Sequence, residues 1–169
     1  SDVQRKNKDV QINLHHSDQF NTSNAIIISD VSQNTRSSIV SWGACAEMID
    51  FSAPPSEWFH VMYADKLHNL NIEDLKELKK QGTVSVDFCL STHSEKEIER
   101  IESLLPYIDY AILSIDEAYS ITKSKQANQA TKKIGKLVNK HAIIHSPYQI
   151  YISDGTSLDI LQTNYIDEK

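Results

Sequence analysis

Several residues in this sequence stand where an apolar run gives way to a polar one, a place where side chains do chemistry. In "LSIDEAYSIT" (113–122), Ser114 precedes Glu117 by three positions. That spacing suits a capping box, in which each side chain satisfies an unpaired N–H of the helix's first turn. It also leaves a carboxylate at a strand-to-helix junction, where a metal ion could use it. Asp87 closes "TVSVD", where a turn or N-cap role competes with a functional one. His145 and Ser146 follow "HAII", and Arg36 follows the turn-like "VSQNT".

Other groupings fail on geometry. His141 and His145 have the spacing of a helical metal pair, but their surroundings read as a strand. Four residues along a strand span over about 12 Å, so one ion cannot bridge them. Neighbouring His15 and His16 would point opposite ways. Neither Cys45 nor Cys89 has the His and Asn context of a nucleophile. The phosphate-binding pattern G-x-x-x-x-G-K-[ST], H-E-x-x-H and C-x-x-C are all lacking, and Gly occurs only 4 times in 169 residues.

Composition narrows the classes. A net charge of -6 argues against a non-specific nucleic-acid or anionic-membrane binder, which needs a basic face. No apolar run approaches the roughly 20 residues of a membrane span. At 40% hydrophobic residues the chain has the makings of a core. Two well-separated cysteines fit reduced thiols in a cytoplasmic protein.

The elements that must position these residues fall into two regions. Residues 1–50 read as β: "VQINL" alternates, and "AIIISD" and "RSSIVSW" flank a polar turn as a hairpin would. Residues 56–169 read as α/β. Strands are expected at "WFHVMY", "TVSVDF", "YAILS" and "HAIIH". Between them stand helical segments "NIEDLKELKKQG", "SEKEIERIESLLPYI", "IDEAYSIT" and "QANQATKKIGKLVNK". Asn71 and the pair Ser94 and Glu97 are helix starts. "YQIYISDGTSLDILQ" alternates on both sides of Asp154-Gly155, a hairpin signal. Strands alternating with helices imply crossovers and a mostly parallel sheet. Ligands in such folds bind beyond the carboxyl ends of the strands. Those ends are Tyr63-Ala64-Asp65, Asp87-Phe88-Cys89, Ser114 to Glu117, and His145-Ser146.

The same segments, in the same order, resemble the PfkB (ribokinase-like) family of sugar and nucleoside kinases. "TVSVDFCLS" is similar to that family's v-s-x-D-x-N-x-R strand. "LPYIDYAILSIDEAYSIT" is similar to L-x-x-a-D-x-x-x-x-N-x-x-E-a-x-x-L-t, and "HAIIHSPYQIYISDG" to x-v-i-v-T-x-G-x-x-G-x-x-x-x-x-g. "RSSIVSWGACAEM" resembles the lid strands followed by G-A-N-x-x-L. Departures are Ser114 for the family Asn, Cys89 and Ser91 for an Asn and an Arg, and "HSPYQI" without either glycine. The N-terminal Gly-Gly sugar-binding segment and the Asp-Thr-x-Gly-Ala-Gly-Asp signature have no match.

The resemblance implies a ribokinase-like α/β fold with a small antiparallel β lid near the N-terminus, and a chain that is the middle of a longer kinase. It implies ATP and Mg²⁺ as cofactors and a sugar substrate. Glu117 would serve the metal, Asp87 and Ser114 the phosphate and metal vicinity, His145 and Ser146 the nucleotide, and Arg36, in the lid, the substrate. The family's catalytic base would lie beyond Lys169, so the chain alone is expected to be inactive. Lid strands with open edges are candidates for pairing two copies. The competing expectation is a non-catalytic binding module that kept a degenerate form of the fold. In that case Glu117 is a helix cap and nothing more.

Overall fold

The computed structural model of the chain describes residues 18–19, 21, 24–30, 35–41, 43, 55–89 and 94–163; for 27–30 and 35–41 it describes the backbone. The expected strand at 10–14, the His15-His16 pair, Cys45, Ser91 and the Arg36 side chain lie outside the described residues. The chain divides into two compact units, Ser1–Glu47 and Met48–Lys169.

In the first unit, β-branched residues favour extended backbone. β1 (Asn24–Asp30) and β2 (Thr35–Ser41) form the expected antiparallel hairpin, with Ile26 opposite Ile39 and Ser29 opposite Arg36.

The second unit runs β3 (Trp58–Val61), α1 (Ile72–Gln81), β4 (Thr83–Asp87), α2 (Glu95–Leu104), β5 (Tyr110–Ser114), α3 (Ile115–Thr122), α4 (Ala127–Gly135), β6 (His141–His145), β7 (Gln149–Ser153) and β8 (Asp159–Gln162). These strands form one six-stranded sheet whose order is the order of the chain. β3 to β6 are parallel, and β7 and β8 are added antiparallel. The expected mixed, mostly parallel α/β sheet is therefore present.

Local chemistry sets the helix starts. Asn71 caps α1 by accepting from the N–H groups of Glu73 (2.8 Å) and Asp74 (3.2 Å), and Asp74 reaches back to the Asn71 N–H at 2.9 Å. Ser94 and Glu97 repeat the device on α2. α2 passes into a 3-10 turn at Leu105–Tyr107, where Pro106 offers no N–H to continue the helix.

Right-handed crossovers between strands laid down in sequence place α1 to α4 on the same face of the sheet. Burial alternates accordingly. Val84, Val86, Ala111, Leu113, Ala142 and Ile144 are buried against Leu75, Leu78, Ile101, Leu105 and Ile134. The other face carries a stacked ladder: Trp58 on Tyr110 (ring centroids 5.2 Å apart) and Tyr110 on His141 (5.9 Å).

Besides the earlier ends of β4 at Asp87 and α2 at Leu104, three features differ from the sequence expectation. β3 ends at Val61 rather than Tyr63, because the chain turns there with Tyr63 in the left-handed region (φ 56). α4 ends at Gly135 rather than continuing to Lys140. A Cβ at Gly135 would lie 2.6 Å from the Gly155 nitrogen and 2.7 Å from the Ser153 carbonyl oxygen, so only glycine fits where the end of α4 meets the β7–β8 connection. Asp154-Gly155 does turn the β7–β8 hairpin, but within a longer loop. There the Asp154 carboxylate accepts from the N–H groups of Thr156 (2.8 Å) and Ser157 (2.7 Å), and Gly155 takes φ 92.

Candidate functional site

At the carboxyl ends of β3, β4 and β5, three carboxylates are gathered: Asp65, Asp87 and Glu117. Each is held by a backbone N–H. Asp87 ends β4, and its Oδ1 accepts from the Tyr63 N–H. Its carbonyl accepts from the Ala64 N–H at 3.0 Å. His60 Nε2 stands 3.7 Å from its Oδ2. Asp65, only 2% exposed, accepts from the Cys89 N–H at 3.0 Å and meets Lys66 Nζ at 3.3 Å.

Glu117 is buried on the first turn of α3. Its Oε2 accepts from the Ser114 N–H at 2.7 Å, and the Ser114 Oγ accepts from the Glu117 N–H at 3.3 Å. The capping box is thus built, and Ser114 is its N-cap. The cap uses Oε2 alone. Burial pushes the Glu117 carboxyl above its ordinary value, the Ser114 hydrogen bonds oppose that, and the nearby charges of Asp65 and Asp87 push it further up. A buried carboxylate facing two others is a place where a cation lowers the electrostatic cost.

The donor set fits magnesium by its chemistry. All the donors are oxygens and they are few, which suits an ion that keeps its own waters. Among the described residues, no three His, Cys, Asp or Glu side chains are arranged to enclose an ion by themselves. Cys89 belongs to the same surroundings. Burial raises its thiol, and the Asp65 and Glu117 charges raise it further, which leaves a poor nucleophile.

Of the other residues singled out in the sequence, His145 is exposed at the end of β6, level with Ser114 in the sheet register. Ser146 is committed to the β6–β7 turn. Its Oγ donates to the Gln149 carbonyl (3.0 Å) and accepts from the Gln149 N–H (3.0 Å). Arg36 lies in the other unit, on β2. So Asp87, Ser114 and Glu117 come to one end of the sheet, and His145 and Ser146 close the next strand along.

Sequence reasoning passed over Arg100. From α2 its guanidinium donates to three carbonyls of the β3–α1 loop: Asp65 (3.3 Å), Leu70 (3.2 Å) and Leu67. This fixes the loop that carries Asp65. It also passed over His60 and Ser85, whose link has no signature in sequence spacing.

No protein-family model and no curated protein sequence matches the chain. Solved structures do. A probable sugar kinase from Rhizobium etli superposes with a TM-score of 0.73 at 16% identity, over 88% of this chain and 49% of that one. Anopheles gambiae adenosine kinase, in complex with a di(adenosine) tetraphosphate, gives 0.72 at 12% identity, over 89% and 51%. Sinorhizobium meliloti adenosine kinase gives 0.69 at 13%, over 87% and 48%. The chain spans about half the length of each of these proteins. With its strand order and its single layer of crossover helices, it has the ribokinase-like α/β fold.

Proposed function

We propose that this chain is a part of an ATP-dependent sugar or nucleoside kinase, the part that meets the phosphates and their magnesium. The observation that carries this reading is the gathering of Asp65, Asp87 and Glu117 at the carboxyl ends of adjacent parallel strands, in this fold. Phosphoryl transfer depends on positioning and charge neutralisation more than on covalent chemistry. Glu117, with Asp87 beside it, would hold the hydrated ion, and bound magnesium would neutralise charge on the transferring phosphoryl group. Ser114 sets the turn that presents Glu117. His145 and Ser146 border the nucleotide, and Arg36 belongs to the sugar side.

No position of the chain matches the family's catalytic Asp, so the chain by itself binds MgATP without turning it over. The β1–β2 hairpin, two-stranded among the described residues, pairs two copies; light scattering of a clean monomer at high concentration would count against that pairing. Cys45 and Cys89, far apart in the sequence, fit a cytoplasmic setting. Among the described residues no helix is long and apolar enough to cross a membrane.

The test is calorimetric titration of the chain with MgATP, followed by a coupled assay against a panel of sugars and nucleosides. Magnesium-dependent binding with no turnover is expected. Sugar-dependent turnover would overturn the inactivity of the chain alone.

A second reading is a non-catalytic binding module with a degenerate fold. The observation in its favour is "HSPYQI", which lacks both glycines and whose Ser146 hydroxyl is occupied in a turn. Failure to bind MgATP at millimolar concentration would favour it.

A further inference from the structure

A run of polar contacts crosses the open face of β3 and β4 and ends on Asp87. Trp58 Nε1 donates to Ser85 Oγ at 2.8 Å, and Ser85 Oγ lies 3.1 Å from the Phe59 carbonyl oxygen. His60 Nδ1 lies 2.9 Å from that same Oγ. Ser85 is 1% exposed, so these contacts are not exchanged for water. The Ser85 hydroxyl has a single proton and two acceptors in reach, the Phe59 carbonyl and, closer, His60 Nδ1. Trp58 offers only a donor. Given to Nδ1, that proton leaves the N–H of the neutral ring on Nε2. This N–H is turned toward Asp87 Oδ2, with Nε2 at 3.7 Å. The other Asp87 oxygen is taken by the Tyr63 N–H.

We infer that His60 is a positioning residue for Asp87: Ser85 fixes the imidazole through Nδ1, and Nε2 fixes the carboxylate in the orientation the phosphate and metal site requires. The importance of that orientation rests on the kinase reading above. The contact itself does not.

Two substitutions separate the two ring nitrogens. Asn at position 60 places an amide where Nδ1 lies, keeping Ser85 and losing Asp87. Gln places its amide near Nε2, reaching Asp87 and losing Ser85. His60 is 38% exposed, so both variants have room. The experiment compares the full chain with its His60→Gln and His60→Asn variants. The ligand-free readouts are the NMR resonances of the Asp87 carboxyl carbon and the Tyr63 amide proton. The second readout is MgATP affinity.

In His60→Gln, both resonances should stay near those of the parent chain and affinity should hold within about threefold. In His60→Asn, both should move and affinity should fall about tenfold. If His60→Asn leaves both resonances in place, or if only His60→Gln moves them, the inference is overturned. If none of the three chains binds MgATP, the kinase reading fails, and the resonances still decide whether His60 positions Asp87.

Discussion

Asp65 and Asp87 each accept a backbone N–H from the loop that carries the other. Asp65 takes the Cys89 N–H at 3.0 Å, beyond the end of β4, and Asp87 takes the Tyr63 N–H, beyond the end of β3. The two loops are clasped by their own carboxylates. The clasp also explains how Tyr63, a residue with a Cβ, keeps φ 56, since its N–H has a charged partner in that conformation.

Asp65→Ala should open the clasp. It leaves the Cys89 N–H without its partner and removes the carboxylate beside Lys66, at a cost of about 1–3 kcal/mol. Urea unfolding would show the loss as a lower midpoint. Asp65→Asn, which retains an acceptor, should lose less. Equal losses would mean that packing, and not the hydrogen bond, holds the two loops.

Glu117→Gln should reverse an electrostatic penalty. The folded-state pKa of Glu117 lies above its ordinary value of 4.5. The folded chain therefore binds this proton more tightly than the unfolded one, and stability falls as pH rises from the unfolded value through the folded one. Gln keeps an oxygen for the Ser114 N–H and carries no charge. The variant should flatten that decline and melt no lower than the parent at neutral pH. Under the proposed function it should also weaken the magnesium dependence of ATP binding. A stability loss above about 1 kcal/mol, with ATP binding unchanged, would leave Glu117 as a cap alone.

Asp109 gives the opposite slope. It is 5% exposed and lies just before β5, where it joins three elements. Its carboxylate accepts from the Val84 N–H at 3.0 Å and from Lys79 Nζ at 3.0 Å. Burial alone would raise its pKa, but those two partners outweigh burial and hold it below 3.8. Such a group adds stability that is complete above the unfolded pKa and is lost as pH falls through the folded one. Asp109→Asn should lower the melting temperature at neutral pH and narrow the gap to the parent in acid. A gap that does not change with pH would rule out the charge as the cause.

Gly135→Ala tests the close approach of α4 to the β7–β8 connection. A methyl group there meets the backbone of Ser153 and Gly155 at 2.6–2.7 Å, with no flexible side chain to yield. The expected loss is about 1–3 kcal/mol, read by thermal melting, although Ala is the better helix former. A gain in stability would show that the β7–β8 connection can retreat.

Much of this was readable from local spacing. Asn71, Ser94 and Ser114, each followed three residues on by an acid, marked three helix starts that the structure contains. Alternation marked the strands, and their interleaving with helices gave the parallel sheet. Asp87 and Glu117 could be singled out because a strand end is a place that sequence can indicate.

What escaped notice depended on contacts between residues far apart in the chain. Arg100 meets carbonyls 30 to 35 positions away, and His60 meets Ser85 across 25. No periodicity registers such pairs, since they exist only after the sheet has brought β3 beside β4 and α2 across the loop. The close approach of the loop at 153–155 to Gly135 left no mark in local spacing either.

The strand order of the sheet repeats the strand order of the chain, from β3 to β8. No strand has to be inserted between two that are already paired. During synthesis, each strand leaving the ribosome finds its neighbour already made and adds to an open edge. From β4 to β6 a crossover helix comes just before the strand and covers the new seam, and β7 and β8 then fold on as hairpins. Such a sheet can grow in one direction, at the pace of translation, with short loops to close at every step.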